Sequence, residues 1–183
     1  MPARKIIITG TSCTGKTTLG ATLSERLGLK QIDLDDLHFL PNWGMKDPDI
    51  FIAHVQAAIK DEEEWIVSGS YQSKLKDNLW PKANIIIWLD LPLRTILSRY
   101  FRRTYRRVVH KEVCCGENYE TLSHVLFKDN MLAHIFKTYW ARKRRLASWR
   151  TEVFPDKIWI VPTTKKEVDN IMNHATLNPA VMT

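Results

Sequence analysis

The segment Gly10-Thr11-Ser12-Cys13-Thr14-Gly15-Lys16-Thr17 constrains this chain more than any other, because it fills every position of the pattern G-x-x-x-x-G-K-[ST]. That pattern works only between a strand and a helix, and the neighbouring residues supply both. Ile6, Ile7 and Ile8 form a β-branched run of the kind buried in a parallel sheet. From Lys16 onward Leu19, Leu23 and Leu27 recur at helical spacing. Gly10 and Gly15 let the backbone turn tightly and approach phosphate oxygens. The loop N–H groups and the helix N-terminus then point donors and partial positive charge at one place. Gly10, Thr11, Ser12, Cys13, Thr14, Gly15, Lys16, Thr17 and Thr18 are therefore the expected triphosphate-binding residues. Lys16 is expected to reach the β- and γ-phosphates, and Thr17 Oγ to bind Mg²⁺.

Further apolar runs follow at intervals that helical segments fill. Strands are expected at Ile6–Thr9, Lys30–Leu34, Trp65–Ser68, Asn84–Leu89 and Lys157–Val161. Helices are expected over 16–27, 48–60, 92–108 and 165–174, and a long helical region over 119–150. Pro48 and Pro92 stand where first-turn prolines belong. The alternation predicts an α/β fold whose parallel sheet is covered by helices on both faces. No internal repeat or long linker divides the 183 residues, so residues 1–175 are expected to form a single domain and 176–183 a frayed tail.

In such sheets ligands bind beyond the carboxyl ends of the strands. Asp33-Leu34-Asp35-Asp36 lies there, after the second expected strand. On an extended strand end Asp33 and Asp35 would project to one side. Asp33 is expected to hold Mg²⁺, directly or through water, and Asp35 to accept a proton from an attacking hydroxyl. Asp36 would point elsewhere and cap the next helix. Acids after a strand also serve simply as caps and loop residues. His38, Phe39, Trp43 and Tyr71 either line an acceptor pocket or pack as core aromatics. Trp140 and Trp149 read as packing residues.

Several of these motifs, in this order, resemble the DNA topology modulation (FlaR-like) proteins, a group related to adenylate kinases. They are the phosphate loop, Leu34-Asp35-x-Leu37-x-Phe39, Pro41-x-Trp43, Trp65-Ile66-Val67-Ser68-Gly69-Ser70-Tyr71 and Ile87-Trp88-Leu89-Asp90-Leu91-Pro92. The resemblance covers about residues 5–172. It implies a P-loop NTPase fold with a five-stranded parallel sheet in the order 2-3-1-4-5. It also implies an acceptor-binding region at about 36–64 and a short helical lid at about 104–118. Arg99 and Arg103, four apart on one helix face, would begin that lid and clamp the transferring phosphoryl group. Arg142 and Arg145 are weaker candidates for the same work. Where many similar kinases close the third strand with an acid, this chain has Ser68, which brings no charge to a metal and moves weight onto Asp33 and Asp35. Gly69 would let a substrate approach the backbone. Thr163 and Thr164 follow the last strand, where similar kinases contact adenine. No N-K-x-D guanine-reading motif occurs, so ATP is the expected donor.

The catalytic set is thus Lys16, Asp35, Arg99 and Arg103. The expected chemistry is transfer of the γ-phosphoryl of Mg·ATP to a small hydroxyl- or phosphate-bearing acceptor. A nucleoside monophosphate would call for an arginine in the acceptor region, and residues 36–65 hold only Lys46 and Lys60 as cations. The net charge of +7 opens a second reading, a nucleotide-dependent regulator that binds nucleic acid with little kinase activity. Yet the excess is concentrated. Between Asp90 and Glu112 there is no acid, and Arg94, Arg99, Arg102, Arg103, Arg106, Arg107 and Lys111 fall there. Polyphosphates demand arginine as well. Cys114-Cys115, with His110 and His124 nearby, lacks the spacing of a zinc site. An odd count of three cysteines, no apolar stretch of membrane length and no secretory signal lead to the expectation of a cytoplasmic protein, monomeric or weakly dimeric.

Overall fold

In the computed structural model, residues 3–110, 113–114, 118–119 and 131–174 are described. In chain order the elements begin β1 (Lys5–Gly10), α1 (Lys16–Leu27), β2 (Lys30–Asp33), α2 (Leu34–His38), α3 (Pro48–Lys60), β3 (Trp65–Ser68), α4 (Gln72–Leu75) and β4 (Ile85–Leu89). After these come α5 (Leu93–His110), β5 (Val113–Cys114), β6 (Asn118–Tyr119), α6 (Met131–Ser148), β7 (Ile158–Ile160) and α7 (Lys165–His174). Five strands pair in parallel in the order β2-β3-β1-β4-β7. Counting only the strands of that sheet, this is the order 2-3-1-4-5.

Alternation explains why the strands read as unbroken apolar runs. Ile7, Trp65, Val67, Ile86 and Trp88 face one side of the sheet, against Phe51, Val55 and Ile59 of α3 and against Leu75, Trp80, Trp149 and Phe154. Ile6, Ile8, Ile66, Ile85, Ile87 and Leu89 face the other. There they meet Leu19 and Leu23 of α1, Ile96 and Tyr100 of α5, Ile135 and Tyr139 of α6, and Val168 and Ile171 of α7. With both faces covered, every strand side chain in the sheet's centre is buried. Each fully buried Ile or Leu contributes about 1.5–3 kcal/mol relative to exposure.

The expected long helical region over 119–150 is only partly within the described residues. From Met131 the chain is helical to Ser148, and a π-helical turn over Trp149–Val153 follows. Trp149 is buried as expected, but Trp140 is 61% exposed and is not a packing residue. The segment expected as the lid continues α5 as far as His110, after which β5 and β6 pair antiparallel. β6 lies against the turn at Pro41–Trp43, within the expected acceptor region. Cys115, His124 and the tail from 176 lie outside the described residues.

Candidate functional site

Parallel pairing brings the carboxyl ends of β1, β2, β3 and β4 to one edge. Ser68 stands beside both Ile8 and Asp33 in register, and Gly10 stands beside Leu89. The chain leaves β1 at Gly10 and wraps into a loop closed on itself. Thr14 donates through its N–H and its hydroxyl to the Thr11 carbonyl, at 3.3 and 2.8 Å. Lys16 Nζ donates to the same carbonyl at 3.1 Å, so the ammonium lies within the loop. Gly15 precedes α1 with φ 93°, in the left-handed region that glycine adopts without cost. Cys13, at φ 65°, takes that conformation without glycine's freedom, and its thiol is not in a disulfide.

The two acids separate into different environments. Asp33 ends β2 and caps α2, its Oδ1 accepting the Asp35 N–H at 3.0 Å. Asp36 does not cap the helix that follows it, because it lies inside α2, and α3 is capped by Asp47, whose Oδ1 accepts the Asp49 N–H at 2.9 Å. Asp36 is exposed, and the residue at the strand end is the one whose side chain can turn back to the first free N–H. Nor do Asp33 and Asp35 share an extended strand end, because Asp35 is already in the first turn of α2. Asp33 Oδ2 accepts the Thr17 hydroxyl at 2.7 Å, so the hydroxyl expected to bind the metal and a carboxylate touch. Burial raises the Asp33 pKa, opposed by the hydrogen bonds from Thr17 and from the Asp35 N–H. Ser68 Oγ, fully buried on the neighbouring strand end, has no hydrogen-bond partner. Thr17, Asp33 and Ser68 together are an oxygen-only donor set that suits Mg²⁺ with retained waters.

Asp35 lies between Lys16, on whose ammonium its charge acts, and a group of aromatic rings. The Tyr71 hydroxyl donates to Asp35 Oδ1 at 2.8 Å. His38, one turn later on α2, is 3% exposed and meets Phe39, Phe51 and Tyr71 edge-on, with ring centroids 5.3, 4.9 and 4.7 Å away. Phe39 in turn meets Trp43 at 5.8 Å. The four expected aromatics thus form one cluster: His38 lies in its interior, and Phe39, Trp43 and Tyr71 are half-buried at its margin. Gly69, expected to admit substrate, makes room for a side chain. A Cβ there would stand 2.6 Å from Leu34 Cβ.

Three elements bring positive charge to the loop. Lys16 has its pKa lowered, chiefly by burial, against the pull of Asp35 and with the further push of Arg142. Arg99 Nη1 donates to the Thr14 carbonyl at 2.5 Å. Arg103 follows one turn later, half-buried on the same face of α5. Arg142 of α6 is held down to about 10 by burial and by Arg145, and its Nη1 is buried without a partner. Sequence reasoning ranked Arg142 below Arg99, because nothing in the chain order reveals that α6 packs over the loop. Arg145 is exposed. Thr163 and Thr164 are engaged with Glu167 at the start of α7, through the Thr163 N–H at 2.7 Å and Thr164 Oγ1 at 3.2 Å. Among the described residues no group of three metal-ligating His, Cys, Asp or Glu side chains occurs, and no helix is long and apolar enough to cross a membrane.

Comparisons with known proteins bear on the family and the fold. The shikimate kinase family model matches residues 12–139. A shikimate kinase from Sulfurihydrogenibium sp. (strain YO3AOP1) is 33% identical over 110 residues, which is 52% of this chain and 66% of that protein. An uncharacterised protein, YqaC of Bacillus subtilis (strain 168), is 29% identical over 121 residues, 64% of this chain and 66% of its own length. The chain thus spans just under two thirds of these curated relatives. Among solved structures, a gluconokinase from Sinorhizobium meliloti 1021 superposes with a TM-score of 0.59 at 19% identity, covering 99% of this chain and 93% of that one. An unliganded sugar kinase from Janibacter sp. HTCC2649 does so with 0.53 at 19% identity, covering 100% and 99%. At that identity the likeness is one of fold.

Proposed function

From its membership of the shikimate kinase family, to which residues 12–139 show that the chain belongs, we propose that this protein is an ATP-dependent phosphotransferase acting on a small hydroxylated acceptor. The observation that carries the proposal is the Thr17–Asp33 contact at 2.7 Å, with Asp35 two residues away, near Lys16 and bonded to the Tyr71 hydroxyl. One acid serves the phosphate loop and the other the acceptor.

Lys16 and the loop N–H groups would hold the β- and γ-phosphates of ATP. Thr17 and Asp33 would hold Mg²⁺, with Ser68 Oγ receiving a metal-bound water. When bound, the ion neutralises charge on the phosphate oxygens. Asp35 receives the proton of the acceptor hydroxyl as its oxygen attacks the γ-phosphorus and ADP leaves. Arg99, Arg103 and Arg142 stabilise the charge spread over the transferring group, a role in which one arginine can contribute about 10³-fold or more in rate. The absence of arginine from residues 36–65 favours a hydroxyl acceptor over a nucleoside monophosphate. Within the family, the Leu34–Phe39 and Pro41-x-Trp43 segments support the narrower placement among DNA topology modulation proteins.

An ADP-release screen over nucleosides, nucleotides, sugars and cyclitols tests the proposal, with Lys16→Ala as the control. At least one acceptor should raise ADP release well above that with water, and Lys16→Ala should abolish it. Turnover surviving that substitution would overturn the assignment.

A second reading draws on α5. Phe101 and Tyr105 are 58% and 67% exposed there, next to exposed Arg102 and Arg106, in a helix without an acid. Exposed rings among arginines suit single-stranded nucleic acid. Binding to an oligonucleotide that fell steeply with salt and responded to ATP would favour this reading.

A further inference from the structure

Asp35 is held from two directions. Its N–H is fixed by Asp33 Oδ1 at 3.0 Å, and its Oδ1 by the Tyr71 hydroxyl at 2.8 Å. Its Oδ2 takes no side-chain donor among the described residues. The Tyr71 ring is itself immobilised. It meets the His38 ring at 4.7 Å and the Phe51 ring at 5.0 Å, and these two residues are 3% and 0% exposed. Its main chain is fixed as well, because the Tyr71 carbonyl accepts the N–H groups of Lys74 and Leu75 at 3.1 and 3.0 Å. His38 lies three residues after Asp35, so both share one face of α2, and Tyr71 touches that face at two points.

We propose that Tyr71 is a positioning residue for phosphoryl transfer: it holds Oδ1 of Asp35 so that Oδ2 is presented to the acceptor hydroxyl. The proposal rests on the phosphotransferase reading, in which Asp35 receives the acceptor's proton. A carboxylate on a short helix rotates about two side-chain bonds, and a base that swings loses the aligned geometry on which transfer depends. A rigid phenol, anchored in the aromatic cluster, removes that freedom. The cluster then has a purpose beyond packing. His38 and Phe51 brace Tyr71, and Tyr71 braces the base.

Tyr71→Phe keeps the ring contacts and removes only the hydroxyl. ADP release is followed with Mg·ATP, first with water as the acceptor and then with a panel of sugars, cyclitols and nucleosides. The parent, Tyr71→Phe, Asp35→Asn and the double variant are compared. Tyr71→Phe should lower kcat about tenfold while leaving KM for ATP and the thermal midpoint nearly unchanged. In the Asp35→Asn background it should have no further effect on kcat, because the group it positions is already gone. Parent-like kcat in Tyr71→Phe, with Asp35→Asn impaired, would overturn the positioning role and leave the phosphotransferase reading standing. So would losses that multiply in the double variant. Full turnover in Asp35→Asn would instead overturn the assignment of the base, and the positioning role with it.

Discussion

His38 shows how one buried side chain sets a pH limit on the site. Burial lowers its pKa below the ordinary value, and the nearby charges of Lys74 and Lys46 act in the same direction, against the pull of Asp35. The folded protein therefore binds a proton here less readily than the unfolded chain does. The sign follows from linkage: the stability tied to neutral His38 is complete above about pH 6.5 and drains away as pH falls toward the lowered folded value. Because the imidazole packs against Tyr71, the loss should reach the Tyr71–Asp35 contact. Thermal midpoints measured at pH 7.5 and 5.5 should differ more for the parent than for His38→Phe, which keeps a ring and removes the titration. An equal difference in the two proteins would show that His38 contributes nothing to the slope.

Between elements, the contact to test is that of β3 with α2. A methyl group at Gly69 would lie 2.6–2.9 Å from Leu34 Cβ, Cδ1 and Cγ, so α2 would have to shift. Because α2 carries Asp35 and is capped by Asp33, the shift would reach both acids. Gly69→Ala should cost about 1–3 kcal/mol in unfolding experiments and lower turnover. Adding Leu34→Gly, which removes all three of those atoms, should restore part of the turnover, and failure to do so would place the damage elsewhere. This coupling was not legible in the chain, although the elements themselves largely were. Buried parallel strands announce themselves as apolar runs, and the sheet order followed from resemblance. α2 escaped notice because five residues, opened by a strand-end aspartate, carry no helical period. The Tyr71–Asp35 bond joins residues 36 positions apart, and no spacing rule encodes it. The triphosphate loop needed no such contact, since its function resides in backbone groups that its own glycines place.

Across the whole molecule, the loop after β1 is a meeting point for α5 and α6, which reach it with Arg99 and Arg142. Neither helix contains an acid to neutralise these arginines. The buried Nη1 of Arg142 is without a partner, and the proximity of Arg145 and Lys16 adds like charge. Such a group burdens the free protein and is of use only when an anion arrives. Two opposite effects should follow from Arg142→Met, which keeps much of the side chain's length and removes the charge. The free protein should melt a few degrees higher, about 2–4 °C for each kcal/mol relieved in a chain of this size. The further rise produced by Mg·ATP should shrink, because a ligand stabilises in proportion to its occupancy of the folded state, by about 2.7 kcal/mol at a hundred times Kd for the parent. Differential scanning calorimetry with and without Mg·ATP separates the two. A lower midpoint in the free variant would make Arg142 a structural residue. An unchanged ATP shift would mean that its charge does not face the phosphates.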